Sequence, residues 1–130
     1  KPLFNRAIGA QYPPGSIFKP VMALIGMQEK VLSPDRGIGC RGGYIYKTLR
    51  IGCHGHPMAT SVSKAIQHSC NAYFCRVFRD VVDKNGFSRA SVGLDTLVGH
   101  LHDFGLGVRL ESDVQNELPG NGKAAHPVEC

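Results

Sequence analysis

The sequence predicts a mainly helical domain of the α+β class. Three long stretches place apolar residues at the three- and four-residue spacing of helices that bury a face. One stretch, residues 44–53, alternates and is rich in aromatic and β-branched residues, which is typical of a short strand or hairpin. The chain has 130 residues, 42% of them hydrophobic, which is enough for one modest domain with a core.

The first element is a helix predicted from Ser16 to about Lys30. It follows the turn-forming sequence YPPG, and Pro20 lies so near its start that the missing N–H costs little. The number of its apolar residues predicts burial on most sides. These residues are Ile17, Phe18, Val21, Met22, Leu24, Ile25 and Met27. The segment before the turn, Lys1 to Gln11, reads as extended chain.

Three further helices follow the predicted hairpin. Thr60 or Ser61 caps a short helix, a longer helix runs from Asn71 towards the stop signal Gly86, and Ser88 opens a last helix that ends at FGLG. The residues predicted to face inward are Phe74, Val77, Phe78, Val81 and Val82 in the longer helix, and Leu94, Leu97, Val98, Leu101 and Phe104 in the last one. Residues 108–130 show no period and read as loop.

The charge balance is basic, with 15 Lys and Arg against 10 Asp and Glu, a net charge of +5. The basic residues are scattered and form no run like a nucleic-acid-binding surface, so we expect no nucleic-acid partner. The longest apolar run, VMALIG, is far shorter than a membrane span. Because the chain starts in mid-pattern and without Met, we expect it to be a piece of a longer protein.

Ser16 and Lys19 have the spacing of a nucleophile and its base on one helix face. A buried, neutral amine one turn away can take the proton of a serine hydroxyl, and free N–H groups at a helix start stabilise an oxyanion. The pattern S-x-x-K is weak alone, since chance produces it in about one of every two chains of this length. An N-cap serine beside a surface lysine is the alternative.

Two longer matches favour catalysis. The segment NRAIGAQYPPGSIFKPVMAL resembles the active-serine region of class B penicillin-binding proteins, most closely the penicillin-binding protein 2 group. About fifty residues later, Ser69-Cys70-Asn71 falls between two predicted helices, where this family has its S-x-N motif. HDFGLG is a softer third match. The resemblance implies the α+β serine transpeptidase fold, also that of β-lactamases, with this chain forming mainly its helical part.

The resemblance implies peptidoglycan cross-linking by a D,D-transpeptidase. Ser16 would attack the D-Ala-D-Ala stem peptide, and Lys19 would be the base that activates it. Ser69 would relay the proton, and Asn71 would hold the substrate amide. β-Lactams would acylate the same serine. The whole protein would be membrane-anchored at the periplasmic face of the bacterial inner membrane, with cell-wall synthesis partners.

The third motif of the family, K-[ST]-G, does not occur in the sequence. The nearest string, YKTLR, lies before S-x-N and has Leu49 where glycine is required. We therefore expect residues 1–130 to be a partial transpeptidase domain, from the active-serine helix to just past the S-x-N helices. Because the missing strand supplies an oxyanion donor, and one such donor is worth about a hundred- to a thousand-fold in rate, this piece is expected to be inactive alone.

Five cysteines suggest either metal binding or disulfides. Some sequences of the penicillin-binding protein 2 group carry a structural zinc beside the active site, and Cys70 occupies one of its ligand positions. Cys40 and Cys53 fall near two others, and His56 is preferred to His54 as the fourth because Cys-x-x-His can reach one metal. A Cys40–Cys53 disulfide is the alternative. Cys75 reads as core. The remaining candidates read as surface: His100, His102, His126 and Cys130.

Two other functions are compatible with parts of this pattern. A serine β-lactamase or penicillin sensor would share the fold and the serine, although the match around YPPGSIFKP favours a transpeptidase. A zinc-stabilised, non-catalytic binding module would share the cysteines. Hydrolysis of penicillin separates the first from a transpeptidase, and salt-sensitive nucleic-acid binding would favour the second.

Overall fold

The structure is a computed structural model that describes residues 12–108. The helices are α1 (Lys19–Gln28), α2 (Val62–Gln67), α3 (Asn71–Val82) and α4 (Ala90–Asp103), and strands β1 (Gly43–Tyr46) and β2 (Leu49–Gly52) form an antiparallel hairpin. The described part is thus mostly helical with a two-stranded sheet, as predicted. The extended segment predicted for Lys1 to Gln11 and most of the tail lie outside the described residues. The chain divides into two compact units, residues 14–93 and residues 1–13 with 94–130.

α3 is the centre of the unit formed by residues 14–93. Its apolar stripe is buried, with Tyr73 and Val77 fully inaccessible, and α1 and both strands pack against it. The crossing with α1 is close because Gly26 has no side chain. A Cβ there would lie 2.7 Å from Cγ1 of Val77 and 3.2 Å from Cβ of Leu32.

The segment predicted as the first helix, which forms a 3₁₀ turn and then α1, buries one face rather than most of its surface. Met22, Ala23 and Ile25 are buried, whereas Ile17 is 81% exposed and Leu24 is 51% exposed. The prediction of burial on most sides was therefore wrong. Apolar composition cannot tell which of two apolar faces has a packing partner.

The hairpin forms where the alternating pattern predicted it. Tyr44 pairs with Ile51 and Tyr46 with Leu49, across a two-residue turn in which Lys47 has φ of 52°. Gly43 permits the close approach of the strands, since a Cβ there would lie 2.5 Å from the carbonyl oxygen of Ile51.

Hydrogen bonds tie the loop before the hairpin to α3. The hydroxyl of Tyr73 donates to the carbonyl of Arg36 over 2.7 Å, and the guanidinium of Arg36 pairs with Asp80 at 2.7 Å. Ile38 forms an isolated antiparallel bridge with Ala59. These contacts fix the loop that carries Cys40.

α4 follows a short 3₁₀ turn, Phe87–Arg89, so Ser88 lies inside this turn and is not the helix cap that we predicted. A Cβ at Gly93 would overlap the carbonyl of Val82, so this glycine allows α4 to start against the end of α3. Leu97 and Leu101 are buried as predicted.

Phe104, which was predicted to face inward, is 49% exposed. It lies one residue beyond the end of α4, where helical spacing no longer governs the direction of a side chain. Within residues 12–108, no helix has the length and apolar character needed to cross a lipid bilayer.

Gly26→Ala is expected to destabilise the protein by about 1–3 kcal/mol, because the new methyl group must displace the buried Val77. Gly99→Ala is the matched control, since it lies in α4 with open space around it; it should stabilise by about 0.5–1 kcal/mol. Urea unfolding monitored by circular dichroism measures both. Equal stability of the two variants would contradict the close crossing of α1 and α3.

Candidate active site and cysteine cluster

Ser16 lies at the start of a 3₁₀ turn, Gly15–Phe18, that continues into α1. The cap positions of these two elements, Pro14 and Phe18, make no side-chain cap hydrogen bond. Nor does Ser16 act as a cap. Its hydroxyl oxygen instead lies 3.2 Å from Nζ of Lys19 and accepts a hydrogen bond from the hydroxyl of Ser69 over 3.1 Å.

The amine of Lys19 joins the start of α1 to the corner between α2 and α3. Nζ donates to the carbonyl oxygen of Ser69 at 2.6 Å, to its hydroxyl at 2.8 Å and to Oδ1 of Asn71 at 2.7 Å. An ammonium has three N–H groups, and these three short contacts use all of them. The hydroxyl of Ser16, at 3.2 Å, is the most distant of the four oxygen atoms around Nζ. A neutral amine would have a lone pair to offer to the hydroxyl of Ser16.

Burial of Lys19 shifts the equilibrium of its amine towards the neutral form. Burial lowers the pKa of the Lys19 amine below its usual value, and the charges of nearby cysteines offset part of that effect. The amine therefore has the chemistry of a general base one helical turn from a hydroxyl.

The corner Ser69-Cys70-Asn71 is built by the end of α2. The N–H of Cys70 donates to the carbonyl of Ala65 and the N–H of Ser69 to that of Ile66, which is the Schellman pattern of a helix end. This pattern requires a left-handed residue, and Ser69 takes that place with φ of 48°. A left-handed conformation costs a non-glycine residue about 1 kcal/mol, a strain often found at functional sites.

Asn71 is held from two sides. Its Oδ1 accepts from Lys19, and its Nδ2 donates to the carbonyl of Gly52 at the end of β2, over 2.9 Å. The amide is therefore fixed in orientation, and the hairpin that packs on α3 is part of what positions it.

A cluster of four metal-ligating side chains lies directly behind this corner. The sulfurs of Cys40, Cys53 and Cys70 and a ring nitrogen of His56 all lie within 4.8 Å of one another. Cys70 is fully buried and caps α3, where its sulfur accepts the N–H of Tyr73. The four residues come from two loops and the corner.

The donor set fits a tetrahedral zinc ion. Bonds of about 2.3 Å to sulfur and 2.0 Å to nitrogen place neighbouring ligands about 3.5–4 Å apart, so small shifts would suffice. Nε2 of His56 lies 3.3 Å from the sulfur of Cys53, and Nδ1 lies 2.7 Å from the carbonyl of Pro57. A proton on Nδ1 would bind that carbonyl and leave Nε2 free as a ligand.

The thiols of Cys53 and Cys70 differ in acidity. Burial would raise the pKa of Cys53, but hydrogen bonds from the N–H of Asn71 and from His56 lower it to about 6. Burial raises the pKa of Cys70 to about 12. A bound cation would favour the thiolate of both.

The other candidate residues lie outside this cluster. All four cysteines within residues 12–108 are free thiols, so the structure contains no Cys40–Cys53 disulfide. Cys75, which was predicted to be core, is half-buried. His54 does not belong to the cluster, although its ring centroid lies 5.3 Å from that of His56. His126 and Cys130 lie outside the described residues.

Sequence reasoning missed the backbone groups of the site. The carbonyl groups of Ser69, Gly52 and Pro57 hold Lys19, Asn71 and His56, respectively. No residue-type signal could reveal them, because every residue has a carbonyl and only the fold aims it.

Comparison with known proteins agrees with this geometry. The family model described as the penicillin binding protein transpeptidase domain matches residues 1–128. The chain belongs to the penicillin-binding-protein transpeptidase family. Membership implies the serine transpeptidase fold, and the described helices with their small sheet are consistent with it.

Two curated relatives of this chain carry the name peptidoglycan D,D-transpeptidase MrdA. The protein from Haemophilus influenzae is 28% identical over 128 residues, which cover 93% of this chain and 18% of the relative. The protein from Acinetobacter baumannii is 28% identical over 125 residues, which cover 92% and 17%. The chain thus spans less than a fifth of each relative. No solved structure matches it.

The strain at Ser69 gives a stability test of the corner. Ser69→Gly and Ser69→Ala both remove the hydroxyl, but only glycine adopts positive φ without cost. Ser69→Gly should therefore be more stable than Ser69→Ala by about 1 kcal/mol. Thermal unfolding of the two variants measures this difference, and an alanine variant as stable as the glycine variant would contradict the left-handed corner.

Proposed function

We propose that the protein to which this chain belongs is a peptidoglycan D,D-transpeptidase that works through an acyl-serine intermediate. The observation that carries the proposal is the position of Lys19, whose Nζ lies within 3.2 Å of the hydroxyls of Ser16 and Ser69 and of Oδ1 of Asn71. The names of the two relatives support the same reaction.

In the first step, neutral Lys19 takes the proton of Ser16 as Oγ attacks the carbonyl carbon of the D-Ala-D-Ala bond of a stem peptide. The new C–O bond turns the carbonyl oxygen into an oxyanion. The N–H of Ser16, in the first turn of its helix, has no intrahelical acceptor and is the proposed donor to that oxyanion.

In the second half of acylation, the C–N bond breaks and the terminal D-alanine leaves. Its nitrogen needs a proton, and Ser69 can pass one on from Lys19, because its hydroxyl contacts both Lys19 and Ser16. Asn71 orients Lys19 and offers its amide to the substrate. An amine on the stem peptide of a neighbouring peptidoglycan strand then attacks the acyl-enzyme ester. The new amide bond is the cross-link, and the ester oxygen leaves as the hydroxyl of Ser16.

β-Lactams resemble the D-Ala-D-Ala unit and would acylate Ser16 in the same way. We place the whole protein at the periplasmic face of the bacterial inner membrane, where peptidoglycan is assembled, together with other cell-wall synthesis proteins. The chain itself supplies the serine, the lysine and the S-x-N side of the site. Without a K-[ST]-G strand it should not turn over substrate alone.

We further assign a structural zinc to the cysteine cluster. Cys40, Cys53, Cys70 and His56 would complete a closed tetrahedral site, which supplies cross-linking of loops and no chemistry on the substrate. The N–H of Asn71 donates to the sulfur of Cys53 over 3.3 Å, so the same group of residues supports the catalytic corner.

Ser16→Ala in the full-length protein should abolish covalent labelling by a fluorescent penicillin, because Ser16 is the proposed nucleophile and Ser69, the other hydroxyl beside Lys19, serves as the proton relay. Ser63→Ala, an exposed serine of α2, is the control and should label normally. Gel fluorescence after denaturation measures the adduct. Labelling that survives Ser16→Ala would refute the assignment, and rapid hydrolysis of penicillin by the wild type would favour a β-lactamase.

The rate of acylation should rise with pH. The base is the neutral amine of Lys19, and burial lowers its pKa, so the inflection should fall below the ordinary value of 10.5. Stopped-flow acylation of the full-length protein between about pH 6 and pH 10 measures the profile. Lys19→Arg should lose at least about a hundredfold in rate, since a guanidinium stays protonated. A flat wild-type profile would exclude Lys19 as the base.

Purified chain should contain close to one zinc per molecule. Cys70→Ser should lose it, because a hydroxyl is a poor zinc ligand, while Cys75→Ser should keep it, because Cys75 lies outside the cluster. Inductively coupled plasma mass spectrometry measures the metal. Zinc-free protein with a Cys40–Cys53 disulfide in its mass spectrum would replace the zinc proposal with the disulfide.

A further inference from the structure

A second cleft, of about 470 Å³, opens beside β1. Residues 37–39 of the preceding loop and residues 43–45 of β1 line it, together with the buried Ala72 and two arginines, Arg36 and Arg76. None of the side chains that surround the Lys19 amine lines this cleft.

One wall of the cleft is an edge of β1 that pairs with no other strand within residues 12–108. In an antiparallel pair, alternate residues direct their N–H and C=O groups to the partner strand. Two observations show which residues of β1 face β2. Tyr46 pairs with Leu49 at the turn, and the N–H of Cys53 donates to the carbonyl of Gly42 at the other end. Gly43 and Ile45 therefore point their backbone groups away from β2.

The opposite wall has the same property. Ile38 faces Ala59 in the isolated bridge, and its N–H donates to the carbonyl of Ala59 over 3.1 Å. Its neighbours Gly37 and Gly39 therefore direct their backbone groups to the other side. A Cβ on Gly39 would have no heavy atom within 4 Å, whereas a Cβ on Gly37 would lie 3.4 Å from Cα of Thr60.

The charge of the cleft is positive. Arg36 and Arg76 share the carboxylate of Asp80, at 2.7 Å and 3.0 Å, which leaves one positive charge in excess. No carboxylate is among the described residues that line the cleft. Arg76 uses only its Nε in that pair and its side chain is 56% exposed, so its terminal N–H groups are available for a bidentate contact with a carboxylate.

We infer that this cleft binds an acidic peptide in extended conformation, as an added strand between β1 and residues 37–39. The two backbone edges supply alternating donors and acceptors, which an extended peptide matches and a compact anion does not. The arginines supply the preference for a carboxylate. This binding does not depend on acyl transfer at Ser16. Its test is therefore independent of any test of the proposed enzyme activity.

Fluorescence anisotropy with a labelled peptide of alternating alanine and glutamate tests the inference on the whole chain. We expect saturable binding, weakened about tenfold when glutamine replaces glutamate and about tenfold when alternate peptide nitrogens are methylated. Methylation removes donors without changing charge, so it separates strand addition from electrostatic attraction. An unchanged affinity of the methylated peptide, or an absence of binding, would overturn the inference.

Two variants place the peptide in this cleft. Arg76→Gln should weaken binding about tenfold because it removes the free guanidinium. Gly39→Leu should weaken it at least as much, because the new side chain would crowd the neighbouring residues of the added strand. Gly55→Leu is the matched control, since it also lies next to a cluster residue in open space but outside the cleft. Wild-type affinity of Arg76→Gln, or of Gly39→Leu with unchanged circular dichroism, would refute the site.

Discussion

The three short hydrogen bonds of the Lys19 amine are the constraint on which the site depends. They join two segments that are fifty residues apart in the chain, the start of α1 and the corner between α2 and α3. Because an amine is strongly solvated in water, placing it here requires acceptors that replace its hydration. The corner provides them with two side chains and one backbone carbonyl.

The corner can do this only because of its backbone. If Ser69 had ordinary helical dihedral angles, α2 would continue, and its hydroxyl and carbonyl would not both face the amine. The left-handed residue stops the helix and turns the chain at once into α3, whose first residue is Asn71. Further along α1, close packing on α3 at Gly26 holds the same two helices together. The candidate active site thus depends on how the same helices turn and pack.

Local parts of this picture could be predicted from the sequence. The helices, the hairpin and the shared face of Ser16 and Lys19 follow from short-range spacing, and the cap of α2 at Ser61 was one of two predicted residues. The resemblance to a family, and not spacing, pointed to Ser69 and Asn71. The exposure of Leu24 and Phe104 could not be predicted, because it depends on which elements meet. The carbonyl of Gly52 and the convergence of Cys40 with Cys53 are likewise long-range results of folding.

Cys70 has two roles that differ in how much they depend on its sulfur. As the cap of α3, it needs only an acceptor for the N–H of Tyr73, and a serine oxygen would meet that need. As a ligand of the proposed zinc site, it would need a soft thiolate, which a serine hydroxyl would not replace. Replacement of the sulfur of Cys70 by oxygen, as in Cys70→Ser, would therefore keep the cap of α3 but remove one ligand of the proposed zinc site. One codon change at this position would remove the proposed zinc site and leave the turn between the two helices in place.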